Sequence, residues 1–302
     1  MPPLPHAVSG ERIEIESSTG RLSFYRAGPA PGLPPRAPML LVHSINASAS
    51  AYEVRPLHEH FACHRTVYSI DLPGYGFSER RPGEYTPRQM TDALHALVAR
   101  IALEQGPGPI DAFALSLSSE FLARAAVEAP TAFRSLALAS PTGFSGRTRR
   151  YGPPGSTRKV GWLYRFLSRP SVGPTAFRWL TRPGVIRYFL ARTWGSPNID
   201  EGLWAYDLIT TRQPEARHAP ISFLSACLFS ADINTLYEAL ALPVWVSHGV
   251  RGDFVDYRGL STVRTRGNWQ VSVFQAGALP YFEVGATFIA DYERFLDSIG
   301  RT

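Results

Sequence analysis

An α/β fold, with a mainly parallel central sheet interrupted once by a helical insertion, is predicted from three observations. Continuous apolar runs such as Met39-Leu40-Leu41-Val42 have the composition of strands buried on both faces. Amphipathic stretches of helical period lie between those runs, as in a chain of parallel strands joined by crossover helices. The alternation also stops after Pro141 and resumes at Val244, leaving a long stretch of short helical pieces punctuated by Pro and Gly.

The elements are read in chain order. Residues 12–16 and 22–26 alternate in polarity as half-buried strands do. A Pro/Gly-rich loop over 28–38 leads into the apolar strand 39–42, and further strands are expected at 66–70, 110–114 and 135–139. Helices are expected between them at 51–61, 87–104 and 117–128. The middle of the chain reads as helices at 162–167, 174–180, 185–193 and 201–210; strands return at 244–247 and 271–274, and a last helix covers 286–298. Residues 1–141 and 242–302 then form the core, and 142–241 form a helical cap. An insertion between strands, at their C-terminal ends, is where a lid over a site sits. No internal repeat is visible.

Composition narrows the function classes. The 302 residues include 19% charged and 12% aromatic side chains, which excludes a disordered polar chain. No run approaches eighteen apolar residues, so no membrane-spanning helix is expected. The Pro-rich start lacks the apolar run of a signal peptide, and a cytoplasmic location is the default expectation. Cys63 and Cys227 make neither a disulfide framework nor a zinc motif, and no His/Cys/Asp spacing suggests a metal, so no metal and no cofactor are expected. The net charge is +6, and Lys159 is the only lysine among 31 basic residues. Most arginines are scattered, although Arg147, Arg149, Arg150, Arg158 and Lys159 cluster. No nucleic-acid motif accompanies them, so no nucleic-acid partner is expected, and an arginine-rich codon usage is a simpler account than a phosphate-binding or membrane-facing surface.

Ligands in open α/β sheets bind outside the carboxyl ends of the strands, which directs attention to three loops. They are Leu41-Val42-His43-Ser44-Ile45-Asn46, Asp71-Leu72-Pro73-Gly74-Tyr75-Gly76-Phe77-Ser78 and Ala114-Leu115-Ser116-Leu117-Ser118. In the last, Ser116 has small residues two positions away on either side. A strand that turns sharply into a helix needs such flanks, and the turn lifts the serine oxygen above the sheet with the N–H of Leu117 beside it. Alone, small-x-Ser-x-small describes many ordinary tight turns.

With its neighbours the chain resembles an α/β-hydrolase-fold protein with a helical cap. Asp71–Ser78 matches the family's D-x-P-G-x-G-x-S segment, His43 is similar to its oxyanion loop, and Ser116 falls at its nucleophile elbow. His248-Gly249-Val250-Arg251-Gly252-Asp253 resembles the strand end that carries the acid. Gly277-Ala278-Leu279-Pro280-Tyr281-Phe282-Glu283 resembles the loop that carries the histidine. The resemblance implies cofactor-free hydrolysis of an ester, thioester, amide or C–C bond, with some lyases and non-catalytic members. It makes Ser116 the nucleophile, Asp253 the acid with Asp256 second, and the N–H groups of Leu117 and Ile45 the oxyanion donors.

The departures are as informative. Ser44, Ala114 and Ser118 stand where glycines are usual, and the acid segment is one residue longer. Ala278 stands where the base histidine belongs, and alanine takes no proton. Because the other departures accompany it, native divergence is the preferred explanation over engineered inactivation. Among eight histidines, His218 in the cap and His43 at a strand end are the candidates for a substitute base. The cap sequences 161–167 and 177–180 mix aromatics with arginine, which fits a lid packing on an apolar pocket, or peripheral membrane contact as a weaker second reading. Two functions follow: an esterase-type serine hydrolase of impaired catalysis on a small or medium apolar ester, or a non-catalytic protein binding a small apolar molecule on the same fold. From sequence alone, Ala278 sits within an imidazole's length of Ser116 Oγ. Ala278→His then gains on the order of 10²-fold or more if Asp253 orients the new ring.

Overall fold

The computed structural model describes residues 3–30, 32, 34–146 and 148–300, so Arg147 lies outside the described residues. The strands are β1 Glu11–Ser17, β2 Gly20–Ala27, β3 Met39–Val42, β4 Val67–Asp71, β5 Ile110–Leu115, β6 Phe133–Ala139, β7 Val244–Gly249 and β8 Trp269–Phe274. They form one sheet in the order β1-β2-β4-β3-β5-β6-β7-β8. β2 pairs antiparallel with β1 and β4, and every later pairing is parallel. The strands expected from the sequence are all present: 39–42 has the bounds read, 66–70 is shifted by one residue, and the others extend by one to three residues.

Register explains the position of the site. Val42 pairs with Ala114, and Ala139 with Ser247, so the loops after β3, β5, β6 and β7 leave the sheet at one end. The period of two along each strand divides the core into two layers. Leu40 and Val42 face a layer with Leu94 and Phe121. Met39 and Leu41 face another with Phe113, Trp245, Phe288 and Tyr292, where Trp245 stacks on Tyr292 at 5.0 Å.

The core helices are α1 Arg55–Ala62, entered through a 3₁₀ turn at Ala51–Val54, α2 Pro87–Gln105 and α3 Ser118–Glu128. α2 starts on a capping box: Gln89 N donates to Thr86 Oγ1 and Thr86 N to Gln89 Oε1. Between β6 and β7 lie α4 Gly161–Leu167, α5 Gly173–Leu180, α6 Pro183–Trp194, α7 Glu201–Thr210, α8 His218–Leu224 and α9 Ile233–Ala239. After β8 come the single turn α10 Pro280–Glu283 and α11 Gly285–Ile299. The sequence reading omitted α8, α9 and α10. Pro220 sits inside the first turn of α8, where a missing N–H is tolerated but reads as a breaker, and the other two are too short to show a period. No helix among the described residues is long and apolar enough to cross a membrane.

The aromatic stripe of the inserted helices does not pack inward as a lid surface would. Trp162 and Trp179 are 66% and 58% exposed and Phe166 is exposed too, while Phe177 and Ile186 take the inner positions. Cys63 is exposed rather than held in an apolar setting, Cys227 is buried, and both are free thiols.

Candidate active site

Ser116 stands between β5 and α3 with φ +56, a left-handed conformation that a non-glycine residue adopts at a cost of about 1–3 kcal/mol. The turn is held from both sides: Ser116 N donates to Ala139 O on β6 at 2.8 Å, and Ser119 N to Ser116 O at 3.1 Å. Ala114 and Ser118, the small flanks, are fully buried, which is why larger residues would not fit there. Ser116 faces a chamber of about 160 Å³ shared with Ser44, Ile45, Leu117 and Ala278. Among the described residues, the N–H groups of Ile45 and Leu117 meet no protein acceptor. The strand ends thus bring the serine, two unsatisfied amides and the position of the absent histidine into one enclosure.

The remaining candidates lie elsewhere. Asp253 does not line this chamber. Its carboxylate is exposed and holds Arg192 through two bonds of 2.5 and 2.6 Å. Asp256 accepts from Arg258, Ser145 Oγ and Gly146 N at the surface, and Arg258 holds its carboxyl well below the usual range. His43 uses both ring nitrogens: Nδ1 meets Ser44 O at 2.6 Å, and Nε2 accepts from Leu72 N at 2.9 Å. Complete burial lowers its pKa to about 4. It ties the β3 and β4 loops together and has no nitrogen left for a serine proton. His218 bonds Glu215 at 2.6 Å and lines neither this chamber nor its neighbour.

The Asp253 and Ala278 loops are both held by the C-terminal end of an inserted helix. α6 ends at Trp194, with Gly195 in the left-handed conformation after it. A helix end leaves carbonyls without helical partners, and here two of them bridge the two loops. Arg192 O accepts from Asp253 N at 3.1 Å, and Thr193 O from Ala278 N at 3.0 Å. Glycines make the approach: a Cβ on Gly277 would lie 2.5 Å from both Trp194 Cα and Trp194 O, and one on Gly252, at φ +87, 2.5 Å from Arg192 O. Ser140 Oγ holds the other end of Ala278 by donating to its carbonyl at 2.7 Å. Asp253 thus belongs to this joint through its N–H, while its carboxylate turns to the Arg192 side chain.

Two acids that sequence reasoning missed are built into the same region. Glu53 is the one carboxylate among the residues lining the Ser116 chamber, and no histidine lines it. Burial pushes its pKa up, against bonds from Ser44 N (2.7 Å), Ser44 Oγ (3.0 Å) and Asn46 Nδ2 (2.7 Å). An adjoining outer chamber of about 300 Å³ shares Asn46, Leu190, Thr193, Phe223 and Phe254 with the inner one and adds Ile186, Phe189, Leu224 and Asp207. Asp207 is 2% exposed, its Oδ1 has no partner, and burial followed by the nearby Glu53 drives its pKa well above the carboxylate range. Neither acid carries a motif: the donors to Glu53 come from Ser44 and Asn46 in the nearby loop after β3, and the burial of Asp207 is set by packing.

Asp207→Asn is expected to compare more favourably with the native chain at pH 7.5 than at pH 4, by about 1.4 kcal/mol for each pH unit by which the folded carboxyl's pKa is raised, up to pH 7.5. An acid whose folded-state pKa is raised keeps its proton in the folded chain, while the unfolded chain loses it above about pH 4. Stability therefore falls as pH rises from there, and the asparagine variant escapes that fall. Denaturant midpoints at the two pH values measure it; an equal shift at both would mean that Asp207 ionises freely when folded.

Two features at the opposite end of the sheet stand apart from this region. His60, His64 and Glu293 bring ligand atoms within 4.8 Å of one another, the one such group among the described residues. A groove of about 650 Å³ is lined by Arg65 and Arg134, but both are already held by buried Asp111.

A mostly parallel eight-stranded sheet, with helices inserted after β6 and a strained serine in a chamber at the strand ends, defines an α/β-hydrolase. The chain belongs to the Alpha/beta hydrolase family, which matches residues 39–290. Among solved structures it is similar to a thermophilic esterase from Thermogutta terrifontis, with 19% identity over 96% of this chain and 99% of that one and a TM-score of 0.69. The enol-lactonase from Burkholderia xenovorans is 15% identical over 94% of this chain and 100% of that one, with a TM-score of 0.71. Cfl2 from Burkholderia cenocepacia is 20% identical over 94% and 95%, with a TM-score of 0.68. No curated protein matches the chain in sequence. At these identities the solved structures speak for the fold alone.

Proposed function

We propose that this protein is a non-catalytic α/β-hydrolase that binds a small or medium apolar molecule beneath a cap formed by residues 142–241. The observation that carries this reading is that no histidine lines the chamber holding Ser116 and Ala278, and that Asp253, whose N–H and carboxylate are both held by Arg192, does not line it either. A serine hydroxyl is a weak nucleophile until a neighbour accepts its proton. The two chambers supply what a binder needs, namely enclosed walls of Leu, Ile, Phe and Trp with a few polar groups at fixed places.

The esterase reading keeps one observation in its favour: Glu53 lines the chamber that holds Ser116. In that reading Ser116 is the nucleophile, Leu117 and Ile45 hold the oxyanion, and Glu53 is the base. Its three donors stabilise the carboxylate form and occupy it, which argues against the role.

The test joins reactivity and binding. A fluorophosphonate probe is expected to leave Ser116 unlabelled, and short-chain ester turnover is expected to be the same in the Ser116→Ala variant. Nile red is expected to bind, and Leu190→Trp, which fills the junction of the chambers, to weaken it at least about tenfold, as hot-spot contacts in a closed pocket do. Labelling that disappears in both Ser116→Ala and Glu53→Gln would establish the esterase instead.

A further inference from the structure

The charge of this protein is strongly uneven. From Thr142 to Ile199 there are eleven Arg and Lys and no Asp or Glu, so these 58 residues carry +11 while the rest of the chain carries −5. α4, α5 and α6 all lie in this stretch. Residues three, four and seven apart share a helix face. Trp162, Arg165, Phe166 and Arg169 have that spacing along α4 and its end, and Thr175, Arg178, Trp179 and Arg182 repeat it along α5. On α6, Tyr188 and Phe189 are exposed beside Arg192.

These side chains are not a displaced core. The inward positions of α5 and α6 are filled by Phe177, Ile186 and Trp194, α4 buries no residue, and the outward aromatics face solvent. The arginines differ from the others nearby. Arg187 pairs with Glu201 and Arg192 with Asp253, whereas Arg165, Arg169, Arg178 and Arg182 are exposed and pair with no carboxylate among the described residues. Scattered exposed aromatics are ordinary; two consecutive helices, α4 and α5, that combine exposed rings with unpaired cations, followed by the exposed rings of α6, are not. The surface also continues into the pocket, since Phe189, Leu224 and Phe254 are exposed and line the outer chamber.

We propose that the outward face of α4, α5 and α6 docks on an anionic phospholipid bilayer, with Trp162, Phe166 and Trp179 in the interface and the four unpaired arginines on lipid phosphates. Aromatic rings whose two ends differ in polarity settle at the headgroup level, and an uncompensated cation beside them is drawn to an anionic leaflet. Docked in this way, the outer chamber opens beside the bilayer, and an apolar ligand passes between lipid and pocket without crossing water. The docking does not depend on whether Ser116 is reactive. A nucleic acid would answer the charge but leave the apolar chamber mouth unexplained.

The native chain is to be sedimented with vesicles of phosphatidylcholine, with and without phosphatidylglycerol. It is expected to pellet with the mixed vesicles, at least about tenfold more weakly with the neutral ones, and less as salt screens the charges. Combined Arg165→Glu, Arg169→Glu and Arg178→Glu substitutions are expected to abolish pelleting. Combined Trp162→Ser and Trp179→Ser substitutions are expected to weaken it and to remove tryptophan quenching by brominated lipid. All five side chains are exposed, so unchanged unfolding midpoints confirm that the variants fold. The proposal is overturned if the native chain stays in solution with anionic vesicles, if either variant binds like the native chain, or if a DNA oligonucleotide binds as tightly as the mixed vesicles.

Discussion

Trp194→Ala is expected to lower the stability of this protein by about 3–5 kcal/mol, the range for truncating a buried aromatic. The indole is 2% exposed, belongs to the core layer beneath β5 and β7, and packs on Phe282 with ring centroids 5.9 Å apart. Its backbone is held between the Asp253 and Ala278 loops, so the neighbourhood has little freedom to collapse into the space left behind. Urea unfolding measures the effect as a lower midpoint at unchanged slope. Because Trp194 lines the inner chamber, the variant also gains room for a bulkier ligand. A loss below about 1 kcal/mol would mean that the joint relaxes, which is inconsistent with a rigid bridge.

Ala278→His is expected to leave ester hydrolysis about 10⁴-fold short of a complete triad. That is the shortfall when the carboxylate partner of a catalytic histidine is removed or neutralised. A histidine at 278 reaches the chamber that holds Ser116, so a base is restored in composition. The one carboxylate lining the chamber, Glu53, is taken up by Ser44 and Asn46, and Asp253 is held by Arg192 at the adjoining chamber, so neither is free to fix the tautomer and offset the charge. Moving the acid one residue back, to 252, places a Cβ 2.5 Å from Arg192 O. Adding Arg192→Ala to Ala278→His is therefore expected to change little, because the bridge through Thr193 O remains. Steady-state kcat/KM on a short-chain ester decides the matter. Recovery of the full 10⁴-fold by Ala278→His alone would show that Asp253 swings inward, and the bridge would then be a movable gate.

These two expectations describe one joint from its two sides. Trp194 ties the inserted helices to the core, and the hydrogen bonds to Arg192 O and Thr193 O tie the same helix end to the Asp253 and Ala278 loops.

The local sequence determined the sheet and the elbow. A strand buried on both faces must be apolar throughout, as 39–42 is, and a serine forced to φ +56 needs small neighbours, which Ala114 and Ser118 are. The absence of a base at 278 was also legible, because it is a property of one residue in a recognisable loop. Only the tertiary structure decided what stands in the base's place. The contact from Thr193 to Ala278 joins residues 85 apart through main-chain carbonyl and N–H groups, which carry no side-chain signature. Asp207 likewise looks like an ordinary helix-face acid until packing removes its water and leaves Oδ1 without a partner, and Glu53 until burial raises its pKa against the bonds from Ser44 and Asn46. The spacing of Trp162, Phe166 and Trp179 fits an inward or an outward face equally well. The direction is set by which side of α4 and α5 meets the rest of the chain, because burial is a property of the packed layers and not of the period.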